Sequence, residues 1–255
     1  MSGARYVLEL AYRGTRYAGW QRQPNALSVE ETVDTALSTM LGQTIKLVGC
    51  GRTDAGVHAS DYVAHFDYVG GLPERLTGRL NRYLPEDIAV RALARVGPDF
   101  HARFDATGRE YVYHLSAVKD PFRTDTAAWL PALSQLDRGA MREAAALLLD
   151  YGEFAPFCKT NSDAYTMRCT LTESRWEFGE GGMSYHIAAN RFLRGMVRLV
   201  VGMCLRVGEG RLSLSQVRAA LEKQSRLPRP WSAPAAGLLL CKVDYPERTQ
   251  WQRLP

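Results

Sequence analysis

Gly51-Arg52-Thr53-Asp54-Ala55-Gly56-Val57-His58-Ala59 stands between two apolar runs, Ile45 to Cys50 and Tyr62 to Asp67. Each run predicts a strand, so the stretch between them is a compact connection carrying a carboxylate two residues after an arginine. Gly51 and Gly56 bracket it, and glycine permits a positive φ or the close approach of another group. Two readings fit these residues. In one, Asp54 closes a tight hairpin connection by bonding backbone amides. In the other, the Arg52 guanidinium favours the ionised form of an Asp54 exposed at a fixed place on a sheet.

Working outward, the flanking segments set the order of elements. Arg5 to Tyr12 alternates as a strand. The loop Arg13 to Pro24 mixes arginines with Tyr17 and Trp20. Ser28 and Glu31 form a capping box, and Val33, Ala36, Leu37, Met40 and Leu41 follow at helical spacing. Pro73 fits the first turn of a helix running to about Tyr83, and Ile88 to Val96 is a strand. This predicts β-α-β-β-α-β. The second half repeats it: strand Arg109–Ala117, a helix capped by Asp137 reaching about Leu149, strands Met167–Phe178 and Ser184–Ala189 around a glycine-rich turn, a helix over about Phe192–Val207, and strand Leu238–Val243. A short inserted helix begins at Ser213, which forms a capping box with Gln216. The pattern predicts an α+β protein of two tandem ferredoxin-like, RRM-like halves, residues 1–104 and 105–255. The loops Lys119–Leu136 and Gly152–Thr166 are long enough for functional edges.

Composition narrows the classes. The chain has 255 residues, net charge +5 and pI about 9.0, and arginine heavily outnumbers lysine. Arginine suits bidentate phosphate contacts and stacking on bases, so a basic balance hints at nucleic acid. No apolar run has the length of a membrane helix, and Met1 to Tyr6 predicts no signal peptide. The five cysteines share no metal-like spacing and read as small hydrophobes in a reducing cytosol, without a disulfide or zinc site. Gly-x-Ser-x-Gly, His-Glu-x-x-His and P-loop motifs are absent from the sequence.

Three further features carry chemistry. The segment Arg191–Val207 is mostly apolar, yet Arg191, Arg194, Arg198 and Arg206 share one stripe with Gly195 and Gly202. Glycine inside a helix costs about 1 kcal/mol against alanine, so close approach of another group is expected there. The alternative is a solvated charged face on a core helix. Tyr111 and Tyr113 point to one face of a strand, and core packing accounts for at least one of them. His58, His65, His101, His114 and His186 read as structural histidines.

Five blocks resemble one family. Gly51 to Ala59 matches the signature loop of the TruA-type tRNA pseudouridine synthases. Tyr12 to Gln21, Phe104 to Tyr113, Phe192 to Gly202 and Ala233 to Leu238 resemble its other blocks, in the same order. One block departs: Asp150-Tyr151-Gly152-Glu153-Phe154 stands where the family commonly has Gly-x-His-Asp-Phe. The resemblance implies a homodimeric cytoplasmic isomerase, without metal or cofactor, that acts on uridines 38–40 of the tRNA anticodon stem-loop. It implies roles as well. Asp54 would be the nucleophile, Arg198 its partner, Arg52 the arginine that helps extrude the nucleotide, Tyr111 the ring on the target base, and Leu238 a pocket lining, with Leu240 left open. Arg13, Arg16, Arg22, Arg52, Arg103, Arg191 and Arg194 would line an RNA-binding cleft where the two antiparallel sheets meet. The rival readings are a non-catalytic RNA-binding module on the same fold and an Asp-dependent hydrolase, for which the motif blocks offer no second carboxylate or histidine.

Overall fold

A computed structural model describes residues 3–160 and 165–254. In chain order its elements are β1 (Ala4–Tyr12), α1 (Val29–Leu41), β2 (Val48–Gly49), β3 (His58–Tyr68), α2 (Leu76–Tyr83), β4 (Ile88–Val96), β5 (Gly108–Ser116), β6 (Ala128–Trp129), α3 (Arg138–Leu147), β7 (Leu171–Gly179), β8 (Gly182–Ala189), α4 (Met196–Gly208), α5 (Leu214–Glu222), β9 (Leu238–Asp244) and β10 (Gln252–Leu254). The protein is mixed α+β with mostly antiparallel pairing. Two compact units divide it, Met1–Thr107 with Leu240–Pro255, and Gly108–Leu239. The sequence boundary at 104/105 lies near the first division. The second division falls within β9, and the last residues of the chain pack in the first unit rather than with 105–239.

In the first unit β1 lies between β3 and β4, antiparallel to both, and β10 extends the β4 edge. Tyr6 to Leu10 are all buried, so β1 is covered on both faces. Glu9 is buried there too. It accepts from Arg248 (3.0 Å) and Arg253 (2.8 Å), and Arg248 also pairs with Asp61 on β3 (2.6 Å). A buried carboxylate needs such partners, and these fasten the chain's last segment to the unit.

The Ser28 side chain caps α1 by accepting from Glu31 N (3.2 Å), and Gly42 at φ 68° ends the helix. The predicted strand Ile45–Cys50 is cut to Val48–Gly49. Its first half is tied to α1 instead: Ile45 N donates to Ser38 Oγ (2.8 Å) and Leu47 N to buried Asp34 Oδ1 (2.9 Å). Local side-chain acceptors have taken donors that a strand ladder would use. The predicted β3 start at Tyr62 moves back to His58, so the last two residues of the opening stretch are strand. Pro73 is not in the first turn of α2. Arg75 stands at φ 53° ahead of it, and a left-handed residue cannot continue a right-handed helix backwards.

In the second unit β5 and β7 flank β8, and β6 adds a short parallel pair to β5. Asp137 caps α3 by accepting from Ala140 N (2.9 Å), and Ser213 and Gln216 form the reciprocal capping box of α5. β7 begins at Leu171, not Met167, because Met167 O accepts from Phe154 N (2.9 Å). α4 begins at Met196, not Phe192. Gly195 sits before it at φ 70°, so Arg191 and Arg194 are not helical, and of the four arginines in the expected stripe Arg198 and Arg206 lie on the helix. Gly202 does serve a close approach: a Cβ there would stand 1.9 Å from Trp231 O. The 119–136 loop contains β6 and a 3-10 turn at Pro131–Gln135. Of the 152–166 loop, Ala155–Phe157 forms a 3-10 turn, and residues 161–164 lie outside the described residues.

Candidate active site

The Asp54 loop is gripped by backbone from the loop that follows β1. Trp20 N donates to Thr53 O (3.3 Å) and Gly56 N to Tyr17 O (3.2 Å). Two glycines allow this approach. A Cβ on Gly14 would stand 2.0 Å from Val57 O, and one on Gly19 would stand 2.2 Å from Thr53 O. Gly19 also adopts φ 94°, a conformation other residues rarely take. Below the loop, Tyr12 OH and Thr53 Oγ1 are 2.9 Å apart in the core. Val57 N bonds back to Asp54 O (3.1 Å), closing a turn. The turn reading of the stretch therefore holds for the Asp54 backbone. Its side chain belongs to a residue that is only half-buried, while Arg52 is exposed.

Aromatic rings support this floor. Trp20 and Tyr62 stack at 4.1 Å between centroids, Tyr12 lies 5.5 Å from Tyr62, and Tyr62 OH donates to Gly51 O. Trp20 thus belongs to the core. His58 is buried, and its Nδ1 accepts from Gly14 N (3.1 Å), a structural task.

Arg16, expected among the substrate residues, donates Nε to Asp87 Oδ2 (2.7 Å), and Tyr17 OH donates to Asp87 Oδ1 (2.8 Å). Burial would raise the Asp87 pKa, but these bonds outweigh it, and the pKa is lowered. Burial and the Asp87 bond push Tyr17 up to about 12. Arg16 is therefore first a structural cation. Asp87 escaped the sequence reading, because its only trace was an acidic residue in the turn before β4. Arg13 is exposed. Arg22 approaches Asp34 at 3.6 Å.

In the second unit, Tyr111 lies half-buried on β5, edge-to-face with Phe192 at 5.2 Å and 89°. Tyr113 is fully buried and donates its hydroxyl to Pro234 O (2.8 Å). The pair has split as the core-packing reading required, with Tyr113 in the core. Burial raises the Tyr113 pKa against the opposing pull of the Arg198 charge. Arg198 sits half-buried in the first turn of α4. Its Nε donates to Ala233 O (2.6 Å), and Ala233 N donates to Arg198 O (3.0 Å). One of these bonds holds the Arg198 backbone and the other its guanidinium Nε. Leu238 is buried at the start of β9. Arg194 is exposed, and its carbonyl accepts from Lys159 N (3.0 Å).

The sequence model of the tRNA pseudouridine synthases matches residues 10–105 and 144–246. The chain belongs to the tRNA pseudouridine synthase family. The tRNA pseudouridine synthase A of Porphyromonas gingivalis is 47% identical over 248 residues, which are 95% of this chain and 98% of that protein. That of Bacteroides fragilis is 44% identical over 250 residues, 97% and 98% of the two chains. That of Neisseria meningitidis serogroup B is 39% identical over 252 residues, 95% and 92%. The ranges matched to the tRNA pseudouridine synthases contain Arg52, Asp54, Arg198 and Leu238, and Tyr111 falls between them. Among the described residues, no group of three or more His, Cys, Asp or Glu is placed to hold a metal, and no helix is long and apolar enough to cross a membrane.

Proposed function

We propose that this tRNA pseudouridine synthase acts on uridines 38–40 of the anticodon stem-loop, with Asp54 as its covalent nucleophile. One observation carries the reading. The backbone of the Asp54 loop is clamped through Gly14 and Gly19 while the residue itself stays half-buried, so a carboxylate is presented at a fixed place.

A uridine in a stem must leave the stack before its glycosidic bond can be rearranged, and Arg52 is suited to fill the place it leaves. The Asp54 carboxylate then bonds to ribose C1′, breaking the N1–C1′ bond and releasing the uracil as an anion. Alternatively it adds to C6 of the ring, and the same bond breaks from the adduct. In both routes the base turns, C5 bonds to C1′, the C5 proton is lost and N1 gains one. Asp54 departs as a carboxylate, so atoms and charge balance without a co-reactant. In this reading Arg198, its Nε fixed by Ala233, pairs with Asp54 and keeps it charged. Tyr111 lies against the flipped base, and its hydroxyl excludes water or assists the C5 proton. Leu238 supplies an apolar wall. Arg13, Arg194 and the remaining donors of Arg16 meet phosphates. Two tandem ferredoxin-like halves, a cytoplasmic compartment and a homodimer belong to the same proposal. Sedimentation at twice 28.5 kDa checks the last.

Asp54→Asn tests the nucleophile. It should abolish pseudouridine formation in a tRNA transcript, mapped site by site, while tRNA binding stays nearly intact. Turnover close to wild type in that variant would remove Asp54 from the chemistry. Product at a site outside positions 38–40 would overturn the regional assignment.

A further inference from the structure

Phe104 opens one of the blocks singled out in the sequence, yet the proposed chemistry gives it no task. It is 74% exposed. Its backbone is nevertheless tied down. Arg103 N and Phe104 N both donate to His101 Nδ1 (3.1 and 3.3 Å), and His101 N donates to Asp105 Oδ2 (2.7 Å). Asp105 N returns to His101 O (3.0 Å). The whole turn is anchored on β3, because Ala102 N donates to buried His65 Nδ1 (3.1 Å). The His101 ring lies 4.2 Å from the Phe104 ring and 5.0 Å from that of His65. The Arg103 guanidinium stands 5.7 Å from the Phe104 centroid.

A ring held out on a fixed turn has already lost the backbone freedom that binding would otherwise cost. A π-face suits any unstacked base, and a neighbouring guanidinium suits its phosphate. A hydrophobic protein partner would fit worse, since Arg103 and His101 leave Phe104 as one ring among polar groups rather than an apolar patch.

We propose that Arg103 and Phe104 form a second contact for the RNA substrate, with one unpaired base stacked on Phe104 and its phosphate held by Arg103. The proposal rests on the reading that tRNA is the substrate. His65 follows His58 by seven residues of β3, roughly 20 Å at the rise of a strand. The turn that carries Phe104 is thus anchored on β3 at a point set apart from the end of the Asp54 loop, and the proposed contact takes a nucleotide other than the one at Asp54.

Anisotropy of a labelled tRNA transcript titrated with the intact protein, at several salt concentrations, tests it. Phe104→Ala should weaken binding about ten-fold, and Phe104→Leu, which keeps an apolar side chain but has no ring, should do nearly the same. Phe104→Trp should restore affinity. Arg103→Ala should weaken binding and reduce the salt slope by about one. Affinities within two-fold of wild type in both Phe104→Ala and Phe104→Leu would overturn the proposal. So would an altered oligomeric state that tracks the loss, which would make this face a contact between copies of the chain. Wild-type protein that failed to bind tRNA would bring down the substrate reading and this contact with it. Tight wild-type binding with indifferent variants would remove the contact alone.

Discussion

Burial, aided by the nearby Arg5 cation, lowers the His65 pKa from 6.5 to about 4. The folded value is below the unfolded one, so the unfolded chain binds more protons between them. The stability contributed by neutral His65 is full above about 6.5 and is lost as pH falls toward 4. Denaturant unfolding across that window should show wild-type stability declining as pH falls. His65→Gln should flatten that part of the curve and lower stability at pH 7 by about 1 kcal/mol, through the weakened bond from Ala102 N. His65 was legible as a structural histidine, but its partner was not, because Ala102 lies 37 residues away. The same holds for Arg16. Its charge was plain in the sequence, and its engagement by Asp87, 71 residues on, left no local pattern.

At the scale of elements, the Asp54 loop depends on a loop from a different part of the chain. Gly19→Ala adds a Cβ 2.2 Å from Thr53 O at a residue with φ 94°. The expected outcome is a loss of more than about 1 kcal/mol in denaturant unfolding. Turnover should fall further than the lost folded population explains, because the displaced backbone carries Asp54. A variant with wild-type turnover would show that the clamp does not set the position of the carboxylate. The helices that were read well are those with local caps: Ser28, Asp137 and Ser213 each accept a bond within the first turn, although of the two expected capping boxes only that of Ser213 and Gln216 is reciprocal and Ser28 caps α1 by its own side chain. α2 and α4 were read too long because Arg75 and Gly195 take left-handed conformations that apolar periodicity does not report.

For the whole molecule, the arginine excess makes RNA affinity a matter of counterion release. Between about 50 and 200 mM salt, tRNA affinity should fall about ten-fold or more. A titration flat across that range would remove the basic surface from substrate binding. Each unit has its own ties: Glu9, Asp61, Arg248 and Arg253 in the first, and Arg198, Ala233, Tyr113 and Pro234 in the second. Asp54 and Arg52 come from the first unit, and Tyr111, Arg198 and Leu238 from the second.

The sequence by itself determined the order of the longer strands and the helices, though not the short β6 and β10, and it marked most helix caps and the stretch that carries Asp54. Those features rest on alternation, helical spacing and bonds spanning three or four residues, all of which leave a local imprint. Only the tertiary structure decided that Ile45–Leu47 serves α1 rather than a sheet, that Arg16 belongs to Asp87, and that the last segment returns to Glu9 and Asp61. It also decided that the Asp54 backbone closes a turn onto Val57 N while His58 and Ala59 already belong to β3. Each outcome was settled by which buried donor or acceptor met which partner, and partners distant along the chain leave no periodic trace in it.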